Sequence, residues 1–232
     1  MSIPRALFWS GLCLLVALWL GSVGVAFSRG GSLYSESESE RGSGHSPAAV
    51  RELDSFRRIS SHGSVDVEVS IGEPQRVEVV GGRDVQRHVE TVVRDGTLEI
   101  STTGFFWSAD STKVRVVVPA IDALTLNGSG DATLSGVDSA DLAVETYGSG
   151  DVTVSGKTGR LKYSSMGSGD GDLKELHAGN AVVSLHGSGD ADVDASESLE
   201  AEIYGSGDLT YHGSPSHVSQ SVHGSGEVKQ DS

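Results

Sequence analysis

The stretch NGSGDATLSGVDSADLAVETYGSGDVTVSGKTGRLKYSSMGSGDG, residues 127–171, decides the fold, because in it the tetrad Gly-Ser-Gly-Asp returns at a near-constant interval. The tetrad starts at Gly128, Gly148, Gly167, Gly187 and Gly205, and a Gly-Ser-Gly-Glu variant starts at Gly224. Successive copies are therefore 20, 19, 20, 18 and 19 residues apart. Six, four and two residues before a copy the side chains are mostly apolar or small, as in Leu142, Val144, Thr146 or Leu199, Ala201, Ile203. Four and six residues after its first glycine come pairs such as Val152 and Val154, with the polar Thr153 between them. A period of two marks a strand with one face inward, so each copy reads strand, glycine corner, strand.

A unit this short cannot bury its apolar face alone. Stacked copies bury a continuous column, and each backbone finds partners in the coils above and below. The predicted fold class is all-β, a right-handed parallel β-helix of about 19–20 residues per coil over residues 124–228, rising by about 4.8 Å per coil. Glycine suits such corners because a Cβ would obstruct a left-handed or crowded backbone. A sandwich of antiparallel strands is the competing arrangement. In a helix of this kind the last coil, near Val228, is free to pair end to end with another molecule.

Upstream, period two persists. Val65, Val67, Val69 and Ile71 alternate with polar residues, and Val77 and Val79, Val89 to Val93, Leu98 and Ile100, and Val114, Val116 and Val118 behave likewise. These predict β-strands preceding the repeat, and Arg94-Asp95-Gly96-Thr97 predicts a two-residue hairpin turn. No window in this region carries a helical apolar stripe. Residues 29–50, rich in Ser, Gly and Glu, read as a flexible linker between an N-terminal segment and a domain spanning 51–232. Residues 1–28 contain an uncharged run from Ala6 to Ser28, expected to be an N-terminal apolar helix acting as a signal peptide or a transmembrane anchor. Either places the rest of the chain outside the cytoplasm, with membrane contact through that segment only.

Composition narrows the function. The chain has 17 Lys plus Arg against 32 Asp plus Glu and a net charge of −15, which excludes a phosphate-neutralising surface and so nucleic-acid partners. Residues 124–232 alone hold 17 acidic and 5 basic side chains, net −12, an acidic surface that disfavours anionic lipid headgroups. The one cysteine, Cys13, lies in the apolar run, so no intrachain disulfide and no multi-thiolate metal site can form.

Phe56 with Ile59, the blocks VDVEVSIG, RVEVVGG, DGTLEI and KVRVVVP, and LTLNGSGDATLSG leading into repeated GSGD corners resemble the bacterial auto-transporter adhesin head GIN domain family, over roughly residues 53–232. The resemblance implies an exported envelope protein with a β-helical domain and no established catalytic residues. It carries over no functional site.

Constant spacing should align Asp131, Asp151, Asp170, Asp190, Asp208 and Glu227 in a column. Full charges about 4.8 Å apart repel by roughly 0.9 kcal/mol in water, so something must offset the repulsion. The plainest arrangement has each carboxylate accepting backbone N–H bonds at its own corner. The alternative is a Ca²⁺ column, for which oxygen ligands are the right type. Against it, the repeat is not the nine-residue Gly-Gly-x-Gly-x-Asp pattern and each coil supplies one corner carboxylate. No other cofactor is expected. Tyr147, His186, Tyr204 and His223 immediately precede corners, with Asn127 and Met166 at equivalent places. Alternation turns them outward, as a candidate ligand-contact ladder or as ordinary solvent-facing strand residues. A transition-metal pair of His186 and His223 would have the Tyr204 coil between its members. Phe105, Phe106 and Trp107 form a dense aromatic cluster suited to gripping a glycan or partner surface, or to capping a core. No Gly-x-Ser-x-Gly elbow or His-Glu-x-x-His motif occurs.

These features predict a non-enzymatic, exported envelope protein, in periplasm or at the cell surface, whose β-helix is an adhesin-like binding or structural module. Its expected partner is a glycan or an envelope protein. A carbohydrate-active β-helix enzyme is an alternative, but spacings that vary by only two residues leave no room for cleft-building loops. A Ca²⁺-binding surface protein is a further alternative.

Overall fold

Alternation in the sequence becomes alternation of burial. In β9, Ala132–Gly148, the side chains of Ala132, Leu134, Val137, Leu142, Val144 and Thr146 are buried while most of their neighbours face water. The structure is a computed structural model that describes residues 48–103 and 112–231. The apolar segment 1–28, most of the linker, and Phe105, Phe106 and Trp107 lie outside the described residues. Among the described residues no helix is long and apolar enough to cross a membrane.

Four long strands, β9 and then β10 (Val152–Gly167), β11 (Gly171–Gly187) and β12 (Ala191–Gly205), each bend around one coil. They pair in parallel and in register, Val144 with Tyr163, Val183 and Ala201 in turn. The last coil is divided into β13 (Leu209–His212), β14 (His217–Gly224) and β15 (Val228–Gln230). Between Gly128 and Gly224 the chain makes five turns, each corner stacked on the one before. This is the parallel β-helix, and the antiparallel sandwich does not describe it.

The N-terminal part joins the same stack, out of chain order. β2 (Arg58–Gly63) and β3 (Asp66–Ile71) form the first coil around a corner reading Gly63-Ser64-Val65-Asp66. β6 (Thr97–Thr102) and β7 (Lys113–Val118) lie parallel along one edge of it, and β8 (Ala123–Gly128) and the start of β9 along the other. β2 and β3 are thus held between β6 and β7 on one side and β8 and the start of β9 on the other. The outer edges of β6 and β7 are closed by antiparallel strands: β5 (Val89–Arg94) on β6, β4 (Arg76–Val80) on β7, and β1 (Ala49–Arg51) on β4. Asp95 at φ 49° and Gly96 at φ 71° make the expected hairpin turn between β5 and β6. One short helix, α1 (Arg83–His88), was not expected. It buries a single apolar residue, Val85, too few to leave a stripe in the sequence.

Inside the coils one substitution is matched by another. Tyr163, fully buried, stands where other coils place Val144, Val183 and Ala201, and the facing wall offers Gly171 where others have Ala132, Val152, Ala191 or Leu209. A Cβ on Gly171 would lie 2.4 Å from the Tyr163 hydroxyl oxygen. That hydroxyl sits near Thr146 and Ser165, and burial raises its pKa. Burial fades at the other end, where every residue of β14 is exposed.

Candidate functional site

The corners form a single column, and stacking dictates their composition. Gly148 has φ +133°, and a Cβ on it would meet the carbonyl oxygen of Gly128 at 2.1 Å; a Cβ on Gly150 would meet that of Gly130 at 2.1 Å. No side chain fits either place, so both glycines are required by the coil beneath rather than by the turn alone. The serine between them donates its N–H to the first glycine of the previous corner, Ser149 to Gly128 at 2.9 Å and Ser188 to Gly167 at 2.9 Å.

The aspartates complete the column in a way the sequence reading did not foresee. Each carboxylate bonds the next coil rather than its own corner. The backbone N–H of Asp151 donates to Asp131 Oδ1 at 2.9 Å, that of Asp170 to Asp151 at 2.8 Å, and that of Asp190 to Asp170 at 2.8 Å. The ladder continues with Asp208 on Asp190 at 2.7 Å and Glu227 on Asp208 at 2.9 Å. The reason is geometric. The Asp backbone carbonyl already accepts the N–H of the residue after the corner in the previous coil, as Asp151 O does from Ala132 at 2.9 Å. The side chain supplies the acceptor that the next corner's N–H otherwise lacks. A charge-assisted bond of about 1.5–3 kcal/mol exceeds the roughly 0.9 kcal/mol repulsion per neighbour, so the ladder of hydrogen bonds offsets the repulsion along the column. The ladder begins one rung earlier than expected, at Asp66, which accepts from Asp131 N–H at 3.2 Å. Glu227 and Asp208 both pair with Lys229, at 3.1 and 3.3 Å.

Beside the corners runs a second column. His62, Asn127, Tyr147, Met166, His186, Tyr204 and His223 are in register on seven successive coils. The Tyr204 ring is stacked between two imidazoles, 4.9 Å from His186 at 11° and 4.7 Å from His223 at 16°. The rings therefore stack on one another along the solenoid axis, and what Tyr204 turns to solvent is its edge. Each ring is tied to the side chain two residues earlier on the same face, histidine to serine and tyrosine to glutamate. His62, His186 and His223 each place Nε2 at 3.1 Å from the hydroxyl of Ser60, Ser184 and Ser221. Tyr204 donates to Glu202 at 2.7 Å and Tyr147 to Glu145 at 3.4 Å. The Glu202 hydrogen bond and charge hold the Tyr204 phenol pKa above its ordinary value, and the Glu145 charge does the same at Tyr147.

A family model described as "Putative auto-transporter adhesin, head GIN domain" matches residues 55–215. The chain belongs to this family. Among solved structures the head GIN domain is similar to a "putative adhesin" from Bacteroides fragilis, at 21% identity and TM-score 0.66 over 80% of this chain and 96% of that one. It is also similar to a "putative lipid binding protein" from Parabacteroides distasonis, at 20% identity and TM-score 0.51 over 82% of this chain and 98% of that one. At these identities the likeness establishes the fold. No curated protein matches the chain.

Of the residues singled out from sequence, the structure brings together Tyr147, His186, Tyr204 and His223 in one column and Asp131, Asp151, Asp170, Asp190, Asp208 and Glu227 in another. Tyr204 lies between His186 and His223, so the two imidazoles do not share a site. Among the described residues no three His, Cys, Asp or Glu side chains converge on a place that could hold a metal ion. Sequence reading missed His62 and Asp66 in this head GIN domain because Val65 replaces the second glycine of their corner. It also missed the serine and glutamate partners, whose spacing of two from each ring was the available signal.

A shallow concavity of about 320 Å³ lies over β3, β4, β7 and β9, lined in part by Glu68, Arg76, Glu78 and Arg115. Its acids are already paired: Glu68 with Lys113 and with Arg115 at 3.0 Å, and Glu78 with Arg76. The Lys113 and Arg115 hydrogen bonds hold Glu68 below the ordinary carboxylate range.

Proposed function

We propose that this head GIN domain is a non-catalytic binding module of the bacterial cell envelope, exported by its N-terminal segment, and that the column from Tyr147 to His223 is its contact face for a glycan or an envelope protein. The observation that carries this reading is the stack of His186, Tyr204 and His223 with ring edges outward, each held by a partner two residues away. Side chains fixed in advance lose little entropy on binding. Because stacking covers both faces of Tyr204, the surface offers phenol oxygens and imidazole edges rather than a flat ring. It is therefore suited to hydrogen bonding with hydroxyl-rich or polar surfaces.

Catalysis is poorly served by the same geometry. Glycoside hydrolysis needs one carboxyl group kept protonated near neutral pH, whereas Glu68 in the concavity is shifted the other way. Among the described residues the interior of the coils is lined by closely stacked side chains such as Leu142, Leu161, Ala181 and Leu199, which favours a surface contact over the lipid binding named for the Parabacteroides neighbour. A glycan array and an envelope-protein capture with the full chain, run beside a reducing-sugar release assay, test the proposal. Binding without turnover that weakens at least tenfold in Tyr204→Ala supports it. Turnover of any polysaccharide, or binding indifferent to Tyr147→Ala and Tyr204→Ala, overturns it.

A further inference from the structure

Within β14, residues 217–223 run His217-Val218-Ser219-Gln220-Ser221-Val222-His223 and read the same in both directions about Gln220. One edge pairs with β12, Leu199 against Val218, Ala201 against Gln220 and Ile203 against Val222, without a bulge. Along its other edge no strand lies among the described residues. Val218, Gln220 and Val222 therefore extend the buried column of Leu199, Ala201 and Ile203, yet both valines are 39% exposed. Exposed edge strands are ordinarily blunted by charges, proline or bulges. Here residues 213–226 contain no Asp, Glu, Lys or Arg, in a region of net charge −12, and no proline lies within the strand.

We propose that β14 pairs antiparallel with β14 of a second copy of this chain, across a twofold axis passing Gln220, and so joins two solenoids end to end. An axis perpendicular to both the strand and the solenoid keeps the inner face of each strand on the same side, so the two cores become one. A strand that pairs with itself in this way needs a self-complementary sequence. The palindrome supplies it: Val218 faces Val222 of the second copy, Ser219 faces Ser221, and His217 faces His223. Gln220 faces its own counterpart, with an amide that both donates and accepts. The absence of charge from residues 213–226 keeps carboxylates off the pairing strand itself, where two acidic solenoids would otherwise repel.

Sedimentation velocity of the full chain in non-ionic detergent, over micromolar to submillimolar concentrations, is expected to show a monomer–dimer equilibrium that stops at the dimer. Val222→Lys and Val218→Asp should each weaken dimerisation at least tenfold while leaving the monomer folded, because both side chains already reach solvent at the end of the column. The double variant Val218→Asp/Val222→Lys sets the new carboxylate opposite the new ammonium at both ends of the pair and should recover most of the lost affinity. In a Cys13→Ser background, Gln220→Cys should cross-link on oxidation, since directly opposed residues of an antiparallel pair lie about 4.5–5.5 Å apart at Cα, within disulfide reach. A chain that stays monomeric throughout overturns the proposal. So does an open-ended polymer, a dimer indifferent to both single substitutions, or a double variant no better than the single ones.

Discussion

Removing one rung of the aspartate ladder separates its two ingredients, an acceptor atom and a charge. Asp170 Oδ1 accepts the Asp190 N–H at 2.8 Å, and Asp170 has a carboxylate on the coil at either side. Asp170→Ala deletes a charge-assisted hydrogen bond of about 1.5–3 kcal/mol, toward the lower figure because water reaches the corner. It also relieves two repulsions of about 0.9 kcal/mol each, roughly halved by physiological salt. The expected net loss is about 1 kcal/mol. Asp170→Asn keeps an acceptor in place, loses roughly half the bond strength and gains the same relief, so it should stay within about 0.5 kcal/mol of the parent. Denaturant unfolding, with hydrogen exchange read at the Asp190 amide, checks both. That amide should exchange about fivefold faster in the alanine variant and near the parent rate in the asparagine variant. If asparagine proves as damaging as alanine, the charge rather than the acceptor holds the column, as a bound cation would require. If alanine is harmless, the ladder does not support the corners.

Other expectations are as direct. Gly171→Ala forces a Cβ onto the Tyr163 ring and should lower stability by about 1–3 kcal/mol; the double variant with Tyr163→Val should lose less than the two single losses added, as a denaturation double-mutant cycle would show. Glu202→Gln should bring the Tyr204 phenol pKa down toward its ordinary value, followed by the tyrosinate absorbance in an alkaline titration. Arg57 bonds Asp122 at 2.6 and 2.7 Å, and this hydrogen bond holds the carboxyl below its ordinary 3.8. A lowered folded-state value means stability present above the unfolded value and lost as pH falls through the folded one. Arg57→Ala should therefore flatten acid destabilisation below about pH 4, by less than about 1 kcal/mol because both partners are half exposed. Millimolar Ca²⁺ or a chelator should leave the melting temperature unchanged, and a rise with Ca²⁺ would restore the cation column.

How much was legible in the sequence follows from what each signal measures. Six tetrads at 18–20 residues reveal the solenoid because, from Gly128 onward, stacked backbones exclude a Cβ at two places per corner, which only glycine satisfies. The corner at Gly63 escaped because Val65 stands at the second of those places and the next corner lies beyond a long excursion through β4 to β7. Period two identifies those strands but says nothing of which edge they join, so the stacking of β6 and β7 outside β2 and β3 was hidden. The ring column was readable by parity. Its serine and glutamate partners were not sought, although Ser-x-His and Glu-x-Tyr before the corners hold the pattern. The direction of the aspartate bonds depends on which carbonyls the corner has already committed, and only coordinates show that.

The reversed order of the first windings makes the rod asymmetric in how it can change over evolutionary time. At one end a hairpin and two antiparallel strands form a lid that interlocks with residues 58–71, so a window lost there strands its neighbours. Between Gly128 and Gly205, by contrast, successive windings repeat the same contacts above and below. Duplicating or deleting one such window shifts the tip by about 5 Å and rotates nothing else. Reach is thus a quantity that a tandem gene duplication can tune in fixed increments, without redesigning either terminus.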